Sequence, residues 1–144
     1  MVLKILFYRR QIDLKKEFHF TVRGYHCDAY GHINNARYFE LCEEARWQIV
    51  HKFMGTATFR EKKLQFFIVN IDAQFKAPAL PGDDICIETS LCKIGNTSCS
   101  FLQEMIKEEK VIFSAKITFV LFSVRHKLPA RIDENLTQIL RSAF

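Results

Sequence analysis

The chain has 144 residues, 49% of them hydrophobic and 26% charged, with only 5 Gly, 3 Pro and a formal charge of +5. That length suits one domain able to bury about two-thirds of its unfolded surface, and the composition excludes disordered and fibrous classes. No apolar run reaches the roughly 18 residues of a spanning helix, so membrane insertion is not expected.

Met1 to Tyr8 has the flavour of a signal core, but it is short, carries Lys4 inside and is followed by Arg9 and Arg10, so a cytoplasmic chain is expected. Glu17 to Arg23 alternates as a strand. Asn35 to Met54 carries Tyr38, Leu41, Cys42, Ala45, Ile49 and Phe53 at helical spacing, with Phe39, Trp47, Val50 and Met54 as a second stripe. The spacing predicts one long helix, apolar over more than half its circumference and wrapped by the rest of the chain. Asn34 or Asn35 suits its N-cap, and Gly55 a left-handed C-cap.

Phe66 to Phe75, Asp84 to Lys93, Ser98 to Lys107 and Val111 to Val124 are rich in β-branched and aromatic residues and predict four more strands. They are separated by Pro78 to Asp84, by Gly95-Asn96 and by Glu108-Glu109-Lys110, the last two short enough for hairpins. This half reads as an antiparallel meander. Asp133 to Phe144 predicts a short terminal helix capped by Asp133. With no repeat or linker, residues 1–144 form a single α+β domain, its sheet curled round the long helix.

Five cysteines, Cys27, Cys42, Cys86, Cys92 and Cys99, are an odd number without a CxxC pair, which predicts reduced, mostly buried thiols and no zinc cluster. The aromatics follow core periods and no dense basic run occurs, so no nucleic-acid partner is expected despite the positive charge.

Functional side chains are densest from Arg23 to Tyr38, between the first strand and the helix. Asp28 stands seven residues before Asn35, where the free N–H groups of a helix start carry about half a positive charge. A carbonyl lodged there would be polarised by the amides and attacked with help from the acid. Taken singly, these residues have plainer readings: an Asx-turn for Asp28, surface hydrogen bonding for His26 and His32, a cap for Asn35. His26, Asp28 and His32 fit no ligand spacing, and no metal is expected there.

The string Asp28-x-x-Gly31-His32-Ile33-Asn34-Asn35-x-x-Tyr38-x-x-x-x-Glu43-Glu44-Ala45-Arg46 resembles the 4-hydroxybenzoyl-CoA thioesterase-like branch of the hotdog superfamily. The resemblance continues through Phe75-Lys76-Ala77-Pro78-Ala79, Pro81-Gly82-Asp83 and the Gly95 to Ser98 hairpin, and covers about 18–124; residues 1–16 and 126–144 lie outside it. It implies a hotdog fold, a five-stranded antiparallel sheet round a long central helix, in homodimers or homotetramers with active sites at the subunit interface. It implies hydrolysis of an acyl-CoA thioester without a cofactor, coenzyme A being part of the substrate.

Asp28 falls at the family's catalytic carboxylate, as base or nucleophile, and the Asn35 N–H at the donor to the thioester carbonyl. Gly31 would let the loop approach the substrate, and His32 would orient or wall the site. Tyr25 and Tyr38 are candidate substrate contacts, Tyr38 by packing. Lys93, Ser98 and Arg125, with Asn96, Thr97, His126 and Lys127 nearby, are candidates for the phosphates of coenzyme A. Another hotdog branch carries its carboxylate on the helix, making Glu43 or Glu44 the second choice, although Arg37 and Arg46 could simply solvate that acidic face. A hydratase reading is disfavoured because Asp28 to His32 lacks the Asn-Pro of that branch. A non-catalytic acyl-binding protein and a thioesterase acting on acyl-carrier-protein thioesters are the rivals.

Overall fold

The structure is a computed structural model and describes residues 15–144; the Met1–Tyr8 stretch read above lies outside the described residues. The chain runs β1 (Lys15–Thr21), a single 3-10 turn at Gly24–His26, α1 (Asn35–Met54), α2 (Ala57–Glu61), β2 (Leu64–Phe75), β3 (Asp84–Ile94), β4 (Ser98–Lys107), β5 (Lys110–Ser123), β6 (Leu128–Pro129) and α3 (Glu134–Ser142). The five long strands form one antiparallel sheet in the order β1-β3-β4-β5-β2, and the two-residue β6 pairs with β5. The hairpins β3–β4 and β4–β5 fall where the turn residues put them. The meander stops there, because β2 pairs with the far side of β5 instead of with β3.

That topology follows from the helix. α1 leaves one edge strand and returns the chain to the other edge, so β1 and β2 flank the meander with the helix between them. Tyr38, Cys42, Ala45, Ile49 and Phe53 form its buried stripe and meet Ile85, Ile87, Phe101, Met105, Phe113 and Ile117 on the inner face of the sheet. The second stripe is only partly covered, with Trp47 41% exposed. The helix is therefore wrapped on one side only. Asn34 is the N-cap, its Oδ1 accepting from the Ala36 N–H at 2.9 Å. Gly55 has φ −71, so the helix ends right-handed and not in the expected left-handed cap.

Two buried thiols, Cys42 and Cys99, are pushed by burial up to about 12, which keeps them protonated and inert. The other three cysteines are half-buried or exposed, so the expectation of mostly buried thiols holds for only those two. Arg46 was expected on a polar helix face, yet it is buried at 7% exposure. Its guanidinium donates to Gln103 Oε1 at 2.7 Å and lies over the Phe119 ring, and Gln103 Nε2 donates to the Cys42 carbonyl and the Thr89 hydroxyl, both at 2.9 Å. Burial lowers the pKa of Arg46, with Cys42 and Glu43 opposing that shift.

Candidate active site

The loop between β1 and α1 is held by its own backbone. Asp28 N–H donates to the His32 carbonyl at 3.1 Å, Gly31 N–H to the Asp28 carbonyl at 3.0 Å and Asn34 N–H to the His26 carbonyl at 3.0 Å, while Cys27 and Ile33 form a bridge. The loop thus folds back on itself and ties Asp28 to His32, two residues before the Asn34 cap. Gly31 has φ +80 with open space around a would-be Cβ, so the left-handed turn, and no crowding within this chain, is what requires glycine there. Ile33 N–H donates to the Ala79 carbonyl at 3.0 Å, and the turn beneath is fixed by Asp83, which accepts from Leu80 N–H at 2.7 Å and from Lys107 Nζ at 2.6 Å.

The Asp28 carboxylate uses one oxygen locally: Oδ1 accepts from Tyr30 N–H at 2.9 Å, an Asx-turn. Among the described residues nothing else bonds it, leaving Oδ2 for a ligand. At the helix start the Asn34 side chain takes the Ala36 N–H and the Asn34 carbonyl takes the Arg37 N–H at 2.9 Å. Among the described residues the Asn35 N–H has no acceptor, so it is the open donor of the first turn.

His26 Nδ1 accepts from Arg23 N–H at 2.9 Å, and burial, helped by Arg37 and Arg23, lowers its pKa, so the ring is neutral with its proton on Nε2. His32 is half-buried and stacks on Tyr30 at 6.1 Å between centroids; Tyr25 is 75% exposed over His26. Tyr38 is 3% exposed, packed on Phe75 and Phe113. Within this one chain its ring has no open face.

The remaining candidates stand apart. The loop base is tied to Asp83 at the start of β3 through Val22, whereas Lys93 and Ser98 flank the hairpin at the end of β3, roughly 35 Å away at about 3.3 Å per residue. Arg125 follows β5 at that same far end, where Leu121 N–H donates to the Thr97 carbonyl. Within one chain, therefore, Lys93, Ser98 and Arg125 are not brought to Asp28. Glu43 lies between them on α1, on the lip of an apolar cavity of about 310 Å³ lined by Arg46, Trp47, Val50, Phe66 and Phe119, whereas Glu44 does not line it. Of the aromatic side chains that could shape a pocket, Phe66 lines this cavity, Phe59 is in the core and Phe67 projects from the β2 edge.

The arrangement is a free carboxylate oxygen and an open helix N-terminal amide on one loop, with an apolar cavity behind the helix. Residues 22–140 match the family model of the Thioesterase-like superfamily. The chain belongs to that family. It is 33% identical over 127 residues to the long-chain acyl-CoA thioesterase FadM of Escherichia coli, covering 83% of this chain and 96% of that one. Among solved structures it is similar to the probable thioesterase YbaW of Escherichia coli, with 30% identity, TM-score 0.77 and 88% and 97% of the two chains covered. It is also similar to a gentisyl-coenzyme A thioesterase, with 27% identity, TM-score 0.69 and 87% and 98% covered. The hotdog fold expected from the sequence is the fold of this thioesterase-like chain. The Arg46–Gln103–Thr89 network was not visible in the sequence, since one of two Args in a helix rich in Glu gives no sign of burial.

Proposed function

We propose that the chain hydrolyses acyl-CoA thioesters at a site shared between two subunits, with Asp28 and the Asn35 N–H doing the chemistry. The single observation that carries this is the open pair on one loop: Asp28 Oδ2 and the unpartnered amide at the start of α1. The amide and the helix dipole stabilise the oxyanion formed when the thioester carbon is attacked. Asp28 either takes the proton of the attacking water or attacks the carbonyl carbon itself, giving a mixed anhydride that water then hydrolyses; in both routes the C–S bond breaks, the thiolate of coenzyme A leaves, and no cofactor takes part. Labelled oxygen from solvent appearing in Asp28 after one turnover would identify direct attack.

The second subunit is argued from the edge. β2 exposes Phe67, Ile68, Val69 and Ile71 at 41–58%, an apolar edge of the kind that pairs with another chain. A two-fold axis across β2 pairs the strands antiparallel, so the Leu64 end of one chain meets the Phe75 end of the other. Phe75 pairs with Phe113 near the Asp28 loop and Leu64 with Ser123 near Arg125. The partner's far end, with Lys93, Ser98 and Arg125, then comes to this chain's loop, where those side chains can meet the phosphates of coenzyme A. The cavity behind the partner's α1 takes the acyl chain, and its apolar lining and the FadM likeness favour a long aliphatic one. The three half-buried or exposed cysteines, all free, support work in the reducing cytoplasm.

One observation favours a second reading: Glu43, not Asp28, touches the cavity of its own chain. Hydrolysis of acyl-CoAs of graded length by Asp28→Ala and Glu43→Ala separates the two. The expected result is a loss of about 10²–10⁴ in turnover for Asp28→Ala and little change for Glu43→Ala. The reverse pattern would move the chemistry to the helix.

A further inference from the structure

On the outer face of the sheet, at the β1 edge, a group of ligating side chains has no part in the reaction above. His19 on β1 stands directly opposite Cys86 on β3 in the antiparallel register, and Glu17 is two residues along β1 on the same face. Phe18 and Phe20 point the other way, into the core. His19 Nε2 lies 3.0 Å from a Glu17 carboxylate oxygen and 3.8 Å from Cys86 Sγ, and the donor atoms of all three lie within 4.8 Å of one another.

We propose that Glu17, His19 and Cys86 form a binding site for a borderline-soft divalent transition metal, Zn²⁺ foremost. Bonds of about 2.0–2.3 Å at tetrahedral angles place donor atoms about 3.3–3.8 Å apart. The His19–Cys86 separation already meets that, and the exposed Glu17 carboxylate, within 4.8 Å of the sulfur, closes on the ion as it gives up its hydrogen bond to the ring. The register of β1 on β3, unbroken over Lys15–Thr21, fixes the two strands, so little ordering remains to be done on binding. One thiolate, one imidazole and one carboxylate suit Zn²⁺ and exclude the all-oxygen preference of Mg²⁺ and Ca²⁺. On binding, the Cys86 S–H bond breaks, an S–metal bond forms and the proton goes to solvent.

The surroundings favour a cation in an otherwise positive chain. Asp84, Glu108 and Glu109 line, with His19 and Cys86, an open cavity of about 430 Å³, which leaves room for a fourth ligand, a water or the Asp84 carboxylate. The neighbouring cation, Lys15, is paired with Glu88. Sequence spacing hides the site because Cys86 is 67 residues from His19 and only strand register joins them.

The test is titration of the metal-free full chain with Co²⁺, read by the thiolate-to-metal charge-transfer band and the tetrahedral visible bands, followed by displacement with Zn²⁺. The expected result is saturation at one ion per chain, loss of the thiolate band in Cys86→Ser, and weaker binding in His19→Ala. Loss of a group that only hydrogen-bonds a metal ligand costs about tenfold to a hundredfold in affinity, so loss of the ligand itself in His19→Ala should cost at least that. Absence of the band, its survival in Cys86→Ser, or unchanged affinity in His19→Ala would overturn the proposal. His19 is exposed, so His19→Ala keeps the test open should Cys86→Ser not fold.

Discussion

The two ends of α1 are built on opposite principles. At its start, Asn34, Asn35, Ala36 and Arg37 are exposed and the geometry rests on hydrogen bonds, from the Asn34 cap to the Asx-turn of Asp28 and the Asp83 turn beneath. In its second half Arg46, Ile49 and Phe53 are buried, and a cation with no carboxylate partner among the described residues is satisfied by Gln103. Substitutions at the start should therefore cost rate and spare the fold, while substitutions further along should cost stability. In a single chain the two ends are about 30 Å apart, and the β2 edge is what would join one to the other in a dimer.

Breaking that junction should have the largest effect. Val69→Lys with Ile71→Lys is expected to give a monomer by sedimentation with hydrolysis at background, because like charges brought together on the two edge strands oppose pairing. A dimer with normal turnover would separate activity from this edge. Gln103→Leu comes next: it leaves the Arg46 guanidinium buried without its partner and should cost about 2–3 kcal/mol in denaturant unfolding. Asn34→Ala removes the cap beside the proposed site and should cost about 1 kcal/mol while lowering turnover more than that loss alone explains.

The smallest effect concerns pH. The Leu80 N–H, then Lys107, hold the Asp83 carboxyl below its ordinary value of 3.8. A depressed carboxyl contributes stability that is present above its unfolded value and is lost as pH falls through the folded one. Asp83→Asn should therefore unfold with a flatter acid dependence below about pH 4 than the parent chain. An unchanged slope would show that this turn carries no such linkage.

Much of this was legible in the sequence because period and punctuation are local. The strand from Glu17, the helix over Asn35–Met54, two hairpins and the Asp133-capped helix all follow from alternation, 3.6-residue spacing and turn residues. The pairing of β2 with β5 was not legible, since strand order depends on where the helix delivers the chain. The five-residue α2 was too short to leave a period. Gly55 misled because glycine permits the left-handed cap without requiring it. At the proposed site, the string around Asp28 lies in one stretch, whereas Lys93, Ser98 and Arg125 could be named but not located, because their distance from Asp28 is set by the length of β3. Cross-strand neighbours such as His19 and Cys86 were invisible for the same reason.

The most direct test of a site shared across β2 uses two inactive chains. Asp28→Ala removes the carboxylate, and Val50→Trp fills the cavity proposed for the acyl group in the chain that carries it. Mixed dimers of the two are predicted to regain about half the parent activity on long-chain acyl-CoA, because one site combines the intact loop of one chain with the intact cavity of the other. Mixed dimers no more active than either parent variant would contradict the account.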